Sequence, residues 1–65
     1  MNGRQIFALC QIIRDGAIVS QETCYGIVEV AKFFKSHDIA FWRNSIVTCE
    51  MQNNGVLIYT YTEGL

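Results

Sequence analysis

The tripeptide Asn53-Asn54-Gly55 sits between two stretches of alternating apolar and polar residues, and it constrains this chain more than any other feature. Asn and Gly both tolerate positive φ, so Asn-Gly between alternating hydrophobics is the strongest short-range hairpin signal. Val47, Cys49 and Met51 alternate with Ile46, Thr48 and Glu50 before the turn; Val56 and Ile58 alternate with Leu57, Tyr59 and Tyr61 after it. A two-residue Asn54-Gly55 loop pairs Asn53 with Val56, Met51 with Ile58 and Cys49 with Thr60. That register sets Val47, Cys49, Met51, Val56 and Ile58 on one face, toward the rest of the chain. Leu57, Tyr59 and Tyr61 then fall on the other. A three-residue loop would invert this assignment, because side chains alternate with period two.

Upstream of the hairpin, the spacing predicts two helices. Over residues 3–15, Ile6, Leu9, Cys10 and Ile13 share one face at 100° per residue, opposite Arg4, Gln11 and Asp15. Asn2 fits an N-cap and Gly16 a C′ position. Ala17-Ile18-Val19 is short and compatible with extended chain. Ser20 caps a second helix over about 21–36, with Val19 and Cys24 at the staple positions and Glu22 in the first turn. Its core face is Thr23, Cys24, Ile27, Val30, Ala31 and Phe34. Gly26 in mid-helix costs ~1 kcal/mol against Ala, which points either to a close approach of another element or to a kink. Residues 37–44 read either as a short third helix capped by Asp38 or as the early start of a strand at Ile39 and Phe41; the extended reading is preferred. The expected architecture is α+β: two helices followed by a C-terminal antiparallel β-hairpin, α-α-β-β, in one domain over 1–65.

Composition narrows the function classes. The chain has 65 residues, 51% of them hydrophobic, 17% charged, with a net charge of −1. Disordered chains are apolar-poor and charge-rich, so the chain is expected to fold. No uncharged apolar run approaches the ~18 residues of a membrane span, and no basic-then-apolar leader opens the sequence. A soluble, cytoplasmic protein without membrane association is expected. Cys10, Cys24 and Cys49 are an odd set with no Cys-x-x-Cys pair, and His37 is the only imidazole. A four-ligand zinc site is therefore not expected, and the thiols read as small buried hydrophobes in a reducing compartment. A Cys–His nucleophile using His37 would need a base in reach and a dry pocket, and nothing local supplies either. There is no Gly-rich phosphate loop, no Gly-x-Ser-x-Gly and no placed acid pair. No enzyme, metal or cofactor is predicted.

Two clusters remain as candidate sites. Lys32, Lys35 and Arg43, with His37 and Trp42, form a basic cluster beside an aromatic, a pattern suited to phosphate contact and base stacking. Two helices and a hairpin share the outline of a winged helix, yet residues 21–36 offer no turn into a basic recognition helix. Nucleic-acid binding is thus the secondary reading. The primary one starts from Leu57, Tyr59 and Tyr61 on the wet side of a two-stranded hairpin, with Phe7, Gly26 and Phe33 left over once one core is filled. Tyr is enriched at interfaces, and a two-stranded sheet alone is marginal. A small chain without disulfides or metal gains buried area by oligomerising. The sequence therefore predicts a homodimer that binds an unidentified protein partner, acting as a regulator, inhibitor or adaptor. Accessory proteins of phages or mobile elements fall within that class by size.

Overall fold

The structure is a computed structural model that describes residues 5–40 and 47–64. It contains four strands and one helix in the order β-β-α-β-β: β1 Ala8–Arg14, β2 Ala17–Cys24, α1 Ile27–Lys35, β3 Val47–Met51 and β4 Leu57–Glu63. The strands form one mixed sheet ordered β2-β1-β4-β3. β1 runs antiparallel to β2 and parallel to β4, and β4 runs antiparallel to β3. This fits the α+β class and overturns the α-α-β-β order. The expected first helix is β1, and the expected second helix is β2 followed by the shorter α1.

The helical reading of residues 3–15 fails because β1 is a central strand with apolar residues on both faces. Ala8, Cys10 and Ile12 are buried on the helix side, while Leu9 and Ile13 are half-buried on the other. Such a strand loses its period-two signature, and a short apolar run then fits either periodicity. The deciding local signal is Asp15-Gly16, which joins Arg14 to its partner Ala17. Both residues have positive φ, 53° and 83°, the requirement of a two-residue type I′ hairpin turn. Gly16 is therefore a turn residue between strands rather than a helix C′ residue.

β2 is an edge strand, and its residues are exposed except Ser20 and Cys24. Ser20 lies within it, paired with Ile12, and caps no helix. Ile13 pairs with Ile18, which leaves Val19 as the extra residue of a bulge. The helix begins later than expected. Gly26 is its N-cap in an extended conformation (φ −170°), with open space where a Cβ would stand. It neither interrupts a helix nor admits a close neighbour. Glu29 Oε1 instead accepts a hydrogen bond from the Tyr25 N–H at 2.8 Å, tying the chain just before the helix to its first turn.

At the other end, the Ile39 N–H bonds the Phe34 carbonyl and the Asp38 N–H bonds the Lys35 carbonyl, both at 2.9 Å. Asp38 takes a left-handed conformation (φ 62°). These are the two bonds of a Schellman motif, and the accompanying apolar pair is Ile39 with Phe34, both in the core. Residues 37 and 38 thus close α1, neither capping a third helix nor starting a strand; 41–44 lie outside the described residues.

The C-terminal hairpin has a three-residue loop. Gln52 N–H bonds Val56 O at 2.9 Å, Gly55 N–H bonds Gln52 O at 2.9 Å, and Asn54 Oδ1 accepts from Val56 N–H at 3.0 Å. Gly55 is left-handed (φ 85°), as a type I turn followed by a G1 bulge demands. Met51 therefore pairs with Leu57, Cys49 with Tyr59 and Val47 with Tyr61. Compared with the expected register, β4 is turned over: Leu57, Tyr59 and Tyr61 face the helix side, and Ile58, Thr60 and Thr62 face away.

The core lies between α1 and the β1–β2 half of the sheet. It comprises Ala8, Cys10, Ile12 and Cys24 from the strands, Val30, Phe33 and Phe34 from the helix, and Ile39. Val30, Phe33 and Phe34 follow the i, i+3, i+4 spacing of one helix face. Phe33 and Phe34 meet edge to face, with ring centroids 5.1 Å apart. Phe34 is 0% exposed, and truncating such a ring costs ~3–5 kcal/mol. A 65-residue domain has roughly 3–10 kcal/mol in total at ~0.05–0.15 per residue. Phe34→Ala is expected to remove ~3–5 kcal/mol of this, seen as a markedly lower unfolding midpoint, or loss of the transition, in urea. Gly16→Ala, which forces a Cβ into the left-handed region, is expected to lower stability by about 1–2 kcal/mol in the same titration.

Candidate interaction surface

The residues singled out for an interface fall in two places. Phe33 is 5% exposed and belongs to the core. Leu57, Tyr59 and Tyr61 are half-buried and pack against that core from the helix side, half-buried Phe7 also packs against it, and Gly26 starts the helix. None of the three β4 residues lies on the face directed away from the helix. Of the basic cluster, Lys32, Lys35 and His37 are exposed together at the end of α1. Trp42 and Arg43 lie outside the described residues.

The face of the sheet opposite α1 is the surface the sequence reading missed. The strand registers arrange it in three rows across β2, β1, β4 and β3. Thr23, Leu9, Ile58 and Glu50 form the first row. Gln21, Gln11, Thr60 and Thr48 form the second. Ile18, Ile13 and Thr62 form the third. Leu9, Ile13 and Ile58 are half-buried, and Ile18 is 54% exposed. No helix or strand among the described residues crosses this face. Its centre is polar, and there Gln11 Nε2 donates to Thr60 Oγ1 at 3.0 Å. Two apolar patches, Leu9 with Ile58 and Ile13 with Ile18, flank that polar row. Glu50 is the one charged side chain in these rows and sits at the β3 rim. A second group of exposed apolar residues, Tyr25, Ile27 and Val28, gathers around the start of α1.

On the helix side, a cleft of about 310 Å³ opens where the end of α1 meets β1, β2 and β4. Ser20, His37, Asp38, Arg14, Tyr61 and Glu63 are among the residues lining it. Ser20 Oγ and His37 Nε2 are 3.2 Å apart, and the Phe33 ring lies tilted against the imidazole at 5.2 Å. A hydroxyl beside an imidazole becomes a nucleophile only when a third group holds the ring and donors await the oxyanion. Among the described residues no hydrogen bond fixes the second ring nitrogen. Arg14, the cation of this cleft, is held by Glu63 at 3.1 Å. Both partners are exposed, so the pair contributes at most ~1 kcal/mol. Among the described residues, no three His, Cys, Asp or Glu side chains are placed to hold a metal ion, and no helix is long and apolar enough to cross a membrane.

The thiols are not paired with His37. Cys10 and Cys24 are buried and lie against each other, and Cys49 is exposed. Burial raises the pKa of Cys10, and the Cys24 thiol adds to the rise. Cys24 is also raised, again by burial first. Tyr59, opposite Cys49 across the β3–β4 pair and beside Cys10, has its hydroxyl pushed up by burial and then by these thiols. In the unfolded chain a thiol ionises near pH ~8.5, whereas Cys10 and Cys24 stay protonated in the folded protein to higher pH. Their contribution to stability is complete below that unfolded value and is lost as pH rises. The free energy of unfolding is expected to be insensitive to these groups below pH ~8 and to fall above pH ~9, by at most ~1.4 kcal/mol per unit from Cys10 and with a further contribution from Cys24. Urea titrations across pH 7–10.5 should show this decline, and Cys10→Ala should shrink it.

The sequence matches no family model, no curated protein and no solved structure.

Proposed function

We propose that this chain is a non-enzymatic protein-binding module that works as a homodimer, in a regulatory, inhibitory or adaptor role. The occupant of the open sheet face is a second copy of the same chain. The observation that carries this reading is the pattern of rows on that face. A two-fold axis lying along the central polar row sets Leu9 of one copy over Ile13 of the other, with Ile58 beside it over Thr62 and Thr23 over Ile18, and the reverse. Gln11 Nε2 already donates to Thr60 Oγ1, which lowers the cost of covering that pair. Isologous contacts of this kind need a self-complementary patch, and the alternation of apolar, polar and apolar rows provides one.

The area supports a weak, exchanging dimer. Four strands ~4.8 Å apart and seven residues at ~3.3 Å each define a face of roughly 19 by 23 Å. Stacking two such faces buries on the order of 900 Å², near the ~1,000 Å² below which specific interfaces are transient. Sheets packed this way lie ~10 Å apart.

Sedimentation velocity or light scattering across a concentration series tests the reading. The native chain is expected to shift from monomer to dimer as concentration rises through the micromolar range. Ile58→Lys, and independently the milder Ile18→Lys at an exposed edge position, should hold it monomeric with an unchanged circular dichroism spectrum. Val28→Lys, on the outer surface of α1 where Val28 is 63% exposed, should still dimerise. A chain that stays monomeric at high micromolar concentration overturns the proposal, as does association that survives both lysine substitutions on the open face.

A further inference from the structure

Cys10 Sγ and Cys24 Sγ lie 3.5 Å apart in the core, and the geometry points to a redox modification site: a disulfide between them, formed by exchange with a small-molecule disulfide such as oxidised glutathione. The two residues are diagonal neighbours on the helix side of the β1–β2 hairpin. Cys10 stands opposite Glu22, and Cys24 stands opposite Ala8. Diagonal positions across an antiparallel pair are normally too far apart for short side chains to meet. Here the two sulfurs nevertheless lie within contact distance, with the small Ala8 opposite Cys24. Closing the bond to its ~2.05 Å length requires an approach of ~1.5 Å. Cys24 can supply that movement, since it is the last residue of an edge strand and is followed by Tyr25 and the extended Gly26.

The order of events follows from access. Edge strands fray before central ones, so Cys24 is exposed first when the end of β2 opens. Its thiolate attacks the disulfide RSSR, forming a Cys24–SR mixed disulfide and releasing RS⁻. Cys10 then attacks the Cys24 sulfur, the new protein disulfide forms, and the second RS⁻ leaves. The two thiol protons end on the two RSH molecules, and the oxidant's disulfide is the group reduced. The product closes a loop that contains the whole Asp15-Gly16 turn and fastens the outer strand to the central one. With the core reassembled, the bond lies inside the same buried cluster as Val30 and Phe34, which keeps reductants from it. Cys49 is exposed on β3 and takes part in neither step.

Trypsin separates the three cysteines, because cleavage after Arg4, Arg14, Lys32 and Arg43 places them on peptides 5–14, 15–32 and 44–65. The folded chain is oxidised with glutathione mixtures of increasing ratio of disulfide to thiol, alkylated, digested and mapped by mass. The expected product is peptide 5–14 joined to 15–32 with a loss of two hydrogens, while 44–65 is recovered alkylated or glutathionylated. The same product should form in Cys49→Ser at the same ratio. Oxidation in urea should instead scatter linkage over all three pairings, showing that the native fold selects the pair. Separate recovery of 5–14 and 15–32 from the oxidised native chain, or linkage made mainly through 44–65, overturns the assignment. Because this readout concerns one chain's interior, it is independent of the dimer proposed above.

Discussion

One short helix has to cover a four-stranded sheet, and most of the structure follows from that mismatch. Nine residues at ~1.5 Å give α1 a length near 13 Å, while the sheet beneath it spans four strands. The helix packs over β1 and β2 and brings Val30, Phe33 and Phe34 down onto small side chains, Ala8, Cys10 and Cys24. Small residues in the sheet let large rings seat without strain, which is how an interior reaches its normal density. Beyond the reach of the helix, the sheet covers itself. Tyr59, Tyr61 and Leu57 spread along the flank of the core, and exposure grows toward β3, whose Cys49 and Met51 are in solvent.

That arrangement explains what could and could not be read from the residues. The C-terminal hairpin and the inward direction of Val30 and Phe34 were legible, because Asn-Gly chemistry and i, i+4 spacing are local. The N-terminal half was not, because a strand flanked on both sides in a sheet has no polar face to reveal its period. Asp15-Gly16 carried the same turn chemistry as Asn54-Gly55 and was outweighed by an apparent helical stripe around Ile6, Leu9, Cys10 and Ile13. The side assigned to Tyr59 and Tyr61 depended on one residue of loop length. Asn53-Asn54-Gly55 offers both a two-residue and a three-residue turn, and the choice rests on where the left-handed residue falls. Leu9, Ile13, Ile18 and Ile58 were legible as apolar but not as one surface, since only the β1–β4 pairing brings the two ends of the chain side by side.

The high apolar content also takes on a specific meaning. A protein of this size that buried one face of its sheet would need polar residues on the other. This chain keeps Leu9, Ile13 and Ile58 there, half-buried, and interleaves them with Gln and Thr rather than charges. In that middle row Gln11 bonds Thr60 across the sheet itself. A surface of this kind is intermediate between a solvated face and an interior, and it can change between the two without rearranging the backbone.

The parallel pairing of β1 with β4 has a consequence for how the molecule is made. Ala8 and Leu57 are partners 49 positions apart, so β4, which lies between β1 and β3, is made after all the other described strands. At ~5–20 residues per second, the β1–β2 hairpin, complete at Cys24, waits roughly 2–7 seconds for Leu57 with the β1 edge unpaired. β3 waits as well, because β4 is its sole partner among the described strands. Assembly therefore cannot proceed from one end by accretion. β4 enters between two pieces already present, and a chain clipped before Leu57 would be left as those two pieces, with the β1 edge that β4 covers open to whatever it meets.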